Sequence, residues 1–169
     1  FGTGATGIQV IQTIASQVDH LTGFQRTPTY TIPMKNPRLD EAHQAERRAH
    51  RSELKELVHR SFSGAEFTFD EKSYFDFSAD ERRLRMEELW QEGSLAFWVG
   101  SFREVFTDER ANAEVSEFVR EKIRARVDNP AIAAQLVPTT YGFGTRRVPL
   151  ETKYYEAYNR SNVELVDLL

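Results

Sequence analysis

Apolar residues recur at intervals of three and four in two long stretches, and these set the framework of the chain. Ile8, Ile11, Ile14, Ala15 and Val18 share one stripe and predict a helix running to Val18. Ala111, Val115, Phe118, Val119, Ile123 and Val127 predict a longer helix, opened by Thr107-Asp108-Glu109. Two other stretches read as strands: Leu21–Gln25, and residues 162–168, where apolar and acidic side chains alternate. The second is expected to return to the sheet of the first.

Between these landmarks the pattern is polar or aromatic. Residues 27–37 carry three prolines, Pro28, Pro33 and Pro37, and predict a connector. A polar helix is expected over about 40–60, with a weak apolar face of Ala42, Ala49, Leu54, Leu57 and Val58. Residues 62–77 form a loop dense in rings, whose ordinary role is to anchor a long connection; lining a cleft is the sharper alternative. Ser78-Ala79-Asp80-Glu81 is a capping box for a helix to Glu92, ended by Gly93. A short buried helix is expected within 95–106, carrying Phe97, Trp98, Phe102 and Phe106. Another starts at Asn129-Pro130 and runs to about Leu136, and a third bears Tyr154, Tyr155 and Tyr158.

The chemistry gathers at the start of the chain. Gly2-Thr3-Gly4-Ala5-Thr6-Gly7 fits the G-x-G-x-x-G fingerprint: a tight turn, close backbone approach to a pyrophosphate, and close helix packing. The helix that follows would aim its free N–H groups at that pyrophosphate. About 20 residues on, where NAD sites place a carboxylate against the ribose 2'-hydroxyl, stands Arg26. A guanidinium grips a 2'-phosphate through two parallel hydrogen bonds, so the site reads as NADP-selective. The plainer alternative is a Gly-rich turn before an ordinary amphipathic helix, with Arg26 in solvent. Late in the chain, Gly142-Phe143-Gly144-Thr145-Arg146-Arg147 is a loop whose adjacent arginines diverge and so take different jobs, or are surface residues.

The fold class expected is α/β: a partial Rossmann-like NADP-binding unit with a large helical insertion, predominantly helical in this fragment. Residues 1–37 and 138–169 make up part of the NADP-binding domain and 38–137 the insertion. A fingerprint of this type needs a buried strand directly upstream, so the chain is expected to be a piece of something larger, able to self-associate through the exposed sheet edge.

Composition narrows the classes of function. Over 169 residues, 22 basic and 26 acidic side chains are interspersed for a net charge of −4, which disfavours nucleic acid as a partner. No apolar run is long enough to span a membrane, and no signal peptide is expected. The absence of cysteine excludes disulfide and thiolate chemistry and fits a cytoplasmic protein. His43, His50 and His59 lack the pair four apart that a helical zinc site needs, so no metal is expected. A self-standing helical interaction module is the competing class.

Taken in order, Gly2-Thr3-Gly4-Ala5-Thr6-Gly7-Ile8-Gln9, Phe24-Gln25-Arg26-Thr27-Pro28, Phe143-Gly144-Thr145-Arg146-Arg147, Tyr154-Tyr155-Glu156 and Tyr158-Asn159-Arg160 resemble the flavin-dependent Baeyer-Villiger monooxygenases, in the cyclohexanone, phenylacetone and steroid monooxygenase branch. The resemblance runs from end to end and implies NADP(H) and FAD as cofactors, and a ketone and O2 as substrates, converted to an ester or lactone. Nitrogen- and sulfur-oxygenating flavin monooxygenases are the related alternative, against which the Gly-Thr-Arg-Arg loop argues. The resemblance puts Thr3, Thr6, Gly7 and Gln9 at the pyrophosphate turn, and Arg26 and Thr27 at the 2'-phosphate. Arg146 stands where the family often has Lys for the same phosphate. Arg147 matches the arginine that lies against flavin and nicotinamide and stabilises the charge developed during oxygen insertion. The family's FAD fingerprint and F-x-G-x-x-x-H-x-x-x-W signature would lie upstream of Phe1. Gly23 replaces a larger apolar residue and is expected to weaken the second strand.

Overall fold

A computed structural model describes residues 1–168, about half of them helical, with few and short strands. Two compact units divide the chain: residues 1–33 join the chain from Glu104 onward, and Met34–Arg103 forms the other. In order the elements are α1 (Ala5–Ile14), β1 (Leu21–Gln25), β2 (Ile32–Pro33), α2 (Glu41–Ala49), α3 (Arg51–Arg60), α4 (Ala79–Glu92), α5 (Ala96–Val99), α6 (Glu109–Arg124), α7 (Pro130–Leu136), β3 (Leu150–Glu151), α8 (Tyr154–Ala157) and β4 (Val163–Asp167). Single 3-10 turns occupy Tyr74–Asp76 and Arg103–Phe106.

In the unit formed by the two ends, β1 lies between two neighbours. β4 runs parallel to it with Leu21 opposite Val163 and Gln25 opposite Asp167. On its other side Gly2 makes a parallel bridge to Phe24, whose N–H donates to the Phe1 carbonyl at 2.7 Å. Both expected strands are therefore present and paired. A second parallel pair, β2 with β3, sets Ile32 opposite Leu150; β2 lies in the expected connector, and β3 takes Glu151, expected from sequence to open the short helix through Tyr158, which is confined to α8.

The stripe of α1 is buried at Ile8, Ile11 and Ala15, but the helix stops at Ile14, short of Val18. Its end is closed by side chains from beyond α8: Asn162 Nδ2 donates to the carbonyls of Ala15 and Val18, each at 2.8 Å, and Arg160 Nε donates to Ala15 at 3.1 Å. These bonds take carbonyls that one more helical turn would use, and they turn the chain into β1. In α6 the expected apolar positions from Ala111 to Ile123 are all buried, as is Val127 beyond its end. This stripe packs in the same unit as β1, so the compact unit is larger than 1–37 with 138–169 and takes in α6 and α7, whose apolar faces find their cover there.

The unit Met34–Arg103 departs from expectation twice. The polar helix over 40–60 is broken at His50 into α2 and α3, neither of which buries a residue. With no apolar face to hold a long helix straight, local competition decides: the His50 ring nitrogen Nδ1 lies 3.0 Å from the Glu46 carbonyl that its own N–H also uses. The helix expected within 95–106 is only the four residues of α5, ended at Gly100, and Phe106 is exposed. A Cβ at Gly100 would stand 3.1 Å from the Ala96 carbonyl oxygen and from the Phe67 Cβ, so this position admits no side chain without a shift. The ring-rich loop anchors itself here, Tyr74 and Phe77 both meeting Phe102 edge-on with centroids 5.5 and 5.4 Å away. The capping box of α4 is in place, Ser78 N–H donating to Glu81 at 2.7 Å, and Gly93 closes the helix at φ 69°.

Helix caps carry a pH dependence. Asp108 is held below the usual carboxylate range chiefly by the Ala111 N–H, Glu81 by the Ser78 N–H, and Asp40 by the His43 N–H. A depressed carboxylate stabilises the fold above its ordinary value, 3.8 for Asp and 4.5 for Glu, and that contribution disappears as pH falls through the folded value. Denaturant midpoints followed by circular dichroism should therefore be flat from about pH 8 to 6 and drop below about pH 4.5. A midpoint unchanged down to about pH 3 would contradict the capping account.

Candidate functional site

The Gly-rich turn is built by steric demand. A Cβ on Gly7 would lie 1.7 Å from the Gly2 carbonyl oxygen, so only glycine lets α1 pack this closely on the incoming chain. Around Gly2 and Gly4 the reverse holds, with open space where a side chain would stand. Gly4 is the N-cap of α1 and offers no side-chain acceptor, so the first-turn N–H groups have no side-chain cap among the described residues. Thr3 is buried, and its carbonyl accepts from Thr29 Oγ1 at 3.5 Å; Ala5, Thr6 and Gln9 are exposed. An open groove of about 460 Å³ runs along this turn, bounded also by Phe1 and Val10.

Because Gly2 and Phe24 run in parallel, the turn and the end of β1 leave the sheet on the same edge. There Gln25 is buried, its Nε2 donating to the Gln135 carbonyl at 2.8 Å, and Arg26 next to it is exposed while Thr27 is half-buried. Thr29 then fastens this segment to the turn. The arginine loop reaches the same segment, since the Tyr141 hydroxyl donates to the Pro28 carbonyl at 2.8 Å. Burial pushes that hydroxyl above the ordinary phenol value, which keeps it a donor. Arg146 lies over the Tyr141 ring with its guanidinium carbon 4.3 Å from the centroid. The structure thus brings the turn, Arg26, Thr27 and Arg146 to one corner of this unit.

Arg147 is exposed on the same loop, next to buried Val148. Among the described residues, neither it nor Arg26 nor Arg146 has a carboxylate partner, which leaves three guanidinium charges open to an anion. From beneath, the loop is held by α6. Ser116 Oγ accepts from Phe143 N–H at 2.8 Å, and Asn112 Nδ2 donates to the Phe143 carbonyl at 2.8 Å. A Cβ on Gly142 would fall 2.0 Å from Asn112 Oδ1, and Gly144 has φ 76°, so both glycines are required by geometry.

Two features escape a reading of the sequence. Arg126 forms a two-armed ion pair with fully buried Glu151 and a second with Glu156, Nε to Oε1 at 2.7 Å. Burial opposes the Arg126 charge, but the bonds to Glu156 and Glu151 outweigh it and hold the guanidinium above its ordinary value. Glu151 also accepts from Tyr154 N–H at 2.9 Å, so the cluster joins the end of α6 to β3 and α8. Gly23 is the second feature. A Cβ there would meet the Tyr158 hydroxyl at 3.1 Å, so the space expected to be a weak point of β1 is filled by the Tyr158 side chain.

With this geometry the chain matches known proteins along its whole length. It is 49% identical over 165 residues to an acetone monooxygenase (methyl acetate-forming) of Gordonia sp. (strain TY-5), covering 98% of this chain and 31% of that one. It is 36% identical over 169 residues to a cyclopentanone 1,2-monooxygenase of Comamonas sp. (strain NCIMB 9872), covering 99% and 31%. Among solved structures, oxidized steroid monooxygenase bound to NADP superposes with a TM-score of 0.93 at 42% identity, covering 99% of this chain and 32% of that one. No family model matches. The fold is that of the flavin monooxygenases. Within them, the chain corresponds to a segment of the Baeyer-Villiger monooxygenases that spans about 31% of the length of the relatives it matches.

Proposed function

We propose that this chain is the NADP-binding part, with the adjoining helical insertion, of an FAD- and NADPH-dependent monooxygenase that inserts one oxygen atom of O2 into a ketone to give an ester or lactone. The observation that carries the reading is the shared corner: a turn open at Gly2 and Gly4, a helix start with no side-chain cap, and Arg26 and Arg146 with no carboxylate partner among the described residues. NADP fits these residues. The backbone of Gly2, Thr3, Gly4, Ala5, Thr6 and Gly7, with Gln9 at the first turn of α1, holds the pyrophosphate through unpartnered N–H groups. Arg26, Thr27 and Arg146 hold the 2'-phosphate.

When bound, NADPH supplies the reducing equivalents and FAD, carried by segments outside this chain, the oxygen chemistry. This chain's residues bind and orient the nucleotide, and Arg147 places a permanent positive charge where negative charge develops during oxygen insertion. By sequence, 1–37 and 138–169 are assigned to the NADP-binding domain and 38–137 to the insertion; α6 and α7, at the end of that insertion, lie in the same compact unit as β1 and serve as the floor on which the arginine loop rests. The sheet edge beside Gly2, where the Phe1–Gly2 segment lies against β1, suits a further strand or a second copy.

Replacing Arg26 tests the assignment. In the intact monooxygenase carrying this segment, Arg26→Ala should weaken NADPH and leave NADH unchanged, because the 2'-phosphate alone distinguishes the two. Loss of a charge-assisted contact is worth ~1.5–3 kcal/mol, about ten- to a hundredfold in affinity. Equal losses for both cofactors would remove the 2'-phosphate from Arg26.

A further inference from the structure

Two positively charged segments have to meet one anion, and they lie far apart in the chain: Arg26 at the end of β1 and Arg146 on the loop after α7. Neither is held by a carboxylate among the described residues, so no ion pair among them sets their spacing. The Tyr141 side chain touches both segments. The Tyr141 hydroxyl donates to Pro28, two residues past Arg26, and the Tyr141 ring carries the Arg146 guanidinium on its face. The ring itself is wedged edge-on against Tyr30, centroids 5.3 Å apart and planes at 85°, and Tyr30 is buried and tied to the Pro138 carbonyl through its own hydroxyl.

We propose that Tyr141 is a specificity-positioning residue: it fixes the distance between Arg26 and Arg146, and so sets the preference for a nucleotide bearing a 2'-phosphate over one bearing a free 2'-hydroxyl. This rests on the reading of Arg26 and Arg146 as phosphate ligands. A guanidinium parked flat on a ring keeps its N–H edge free for an anion, whereas an ion pair would use that edge up. A phenol anchored at its far end also gives up little side-chain freedom when the nucleotide arrives, so the ordering cost of binding is already met in the folded protein.

The hydroxyl and the ring can be separated by substitution. Tyr141→Phe keeps the ring under Arg146 and drops the bond to Pro28; Tyr141→Leu drops both. In the intact monooxygenase, with KM and kcat measured for NADPH and NADH and binding measured for 2',5'-ADP, Tyr141→Phe should raise KM for NADPH about 3- to 10-fold. Tyr141→Leu should raise it about 10- to 50-fold, with 2',5'-ADP binding weakened in step and KM for NADH unmoved. The effect belongs in KM for NADPH rather than in kcat. In an Arg146→Ala background the difference between Phe and Leu should vanish, since the ring then has no cation to hold; a purely structural tyrosine would keep that difference. If both variants retain the original NADPH-to-NADH ratio while Arg26→Ala loses it, the positioning role is overturned and the phosphate reading stands. If Arg26→Ala weakens the two cofactors equally, both fall. A rise of KM for both cofactors in the same proportion in Tyr141→Phe also overturns the proposal.

Discussion

Arg147→Ala should abolish ester formation by the intact monooxygenase while leaving the fold, FAD content and NADPH binding largely intact. The reasoning is that of differential binding: a donor that faces charge present only during oxygen insertion contributes to kcat and little to ground-state affinity. Removing one preorganised donor of this kind costs about 10²- to 10³-fold in turnover. Arg146→Ala, whose side chain is committed to the Tyr141 face, should behave differently, raising KM for NADPH with turnover at saturation mostly preserved. Product formation and NADPH consumption, measured together, separate the two. Near-normal ketone oxygenation by Arg147→Ala would reduce the pair to surface cations.

The second large effect is on stability. Arg126→Ala strands the Glu151 carboxylate, which is fully buried and has no other cationic partner among the described residues. Removing one member of a buried pair costs ~3–5 kcal/mol, because the remaining charge keeps its desolvation penalty without its compensation. Removing both charges avoids that penalty, so Arg126→Met with Glu151→Gln should be distinctly more stable than Arg126→Ala alone. Glutamine can still accept from Tyr154 N–H. Denaturant midpoints give the comparison. A loss below ~1 kcal/mol for Arg126→Ala would mean that solvent reaches Glu151 or that its carboxyl takes up a proton.

These two arginines mark what sequence can and cannot convey. α1, α6 and β4 were legible because each repeats its apolar residues at the period of its backbone, and a repeat survives without knowledge of the partner; β1 was legible from its place after the Gly-rich turn and helix. So were the caps of α4, α6 and α7, which lie within a few residues of the groups they bond. β2 and β3 were not, since two residues hold no period and their pairing is decided by chain far away. Arg126 and Glu151 sit among many charges, and nothing in their separation distinguishes a buried pair from solvated ones. At the candidate site, the glycines and Arg26 stood out because their order and spacing are local. Asn112 and Ser116 look like the ordinary polar face of α6, and their role emerges only where Phe143 comes to rest on them. Gly23 read as a defect because Tyr158, which fills its space, comes from the other end of the chain.

Strand β1 finds its partner β4 across most of the chain's length, and this imposes an order on how the protein is made. On a ribosome the segment Met34–Arg103 is contiguous and can collapse as soon as it emerges, with only short loops to close. The other unit has its first third waiting. Leu21–Gln25 stays unpaired on the β4 side until Val163–Asp167 has been synthesised, a delay of roughly 7–28 s at ~5–20 residues per second for the chain between Gln25 and Asp167. During that interval Ile8, Ile11 and Leu21, all buried in the finished fold, lack part of their cover. The nascent stretch from α1 through β1 is therefore the one on which a chaperone would act. Pairing over so long a separation also makes closure of this unit, rather than formation of any helix, the slow step of refolding.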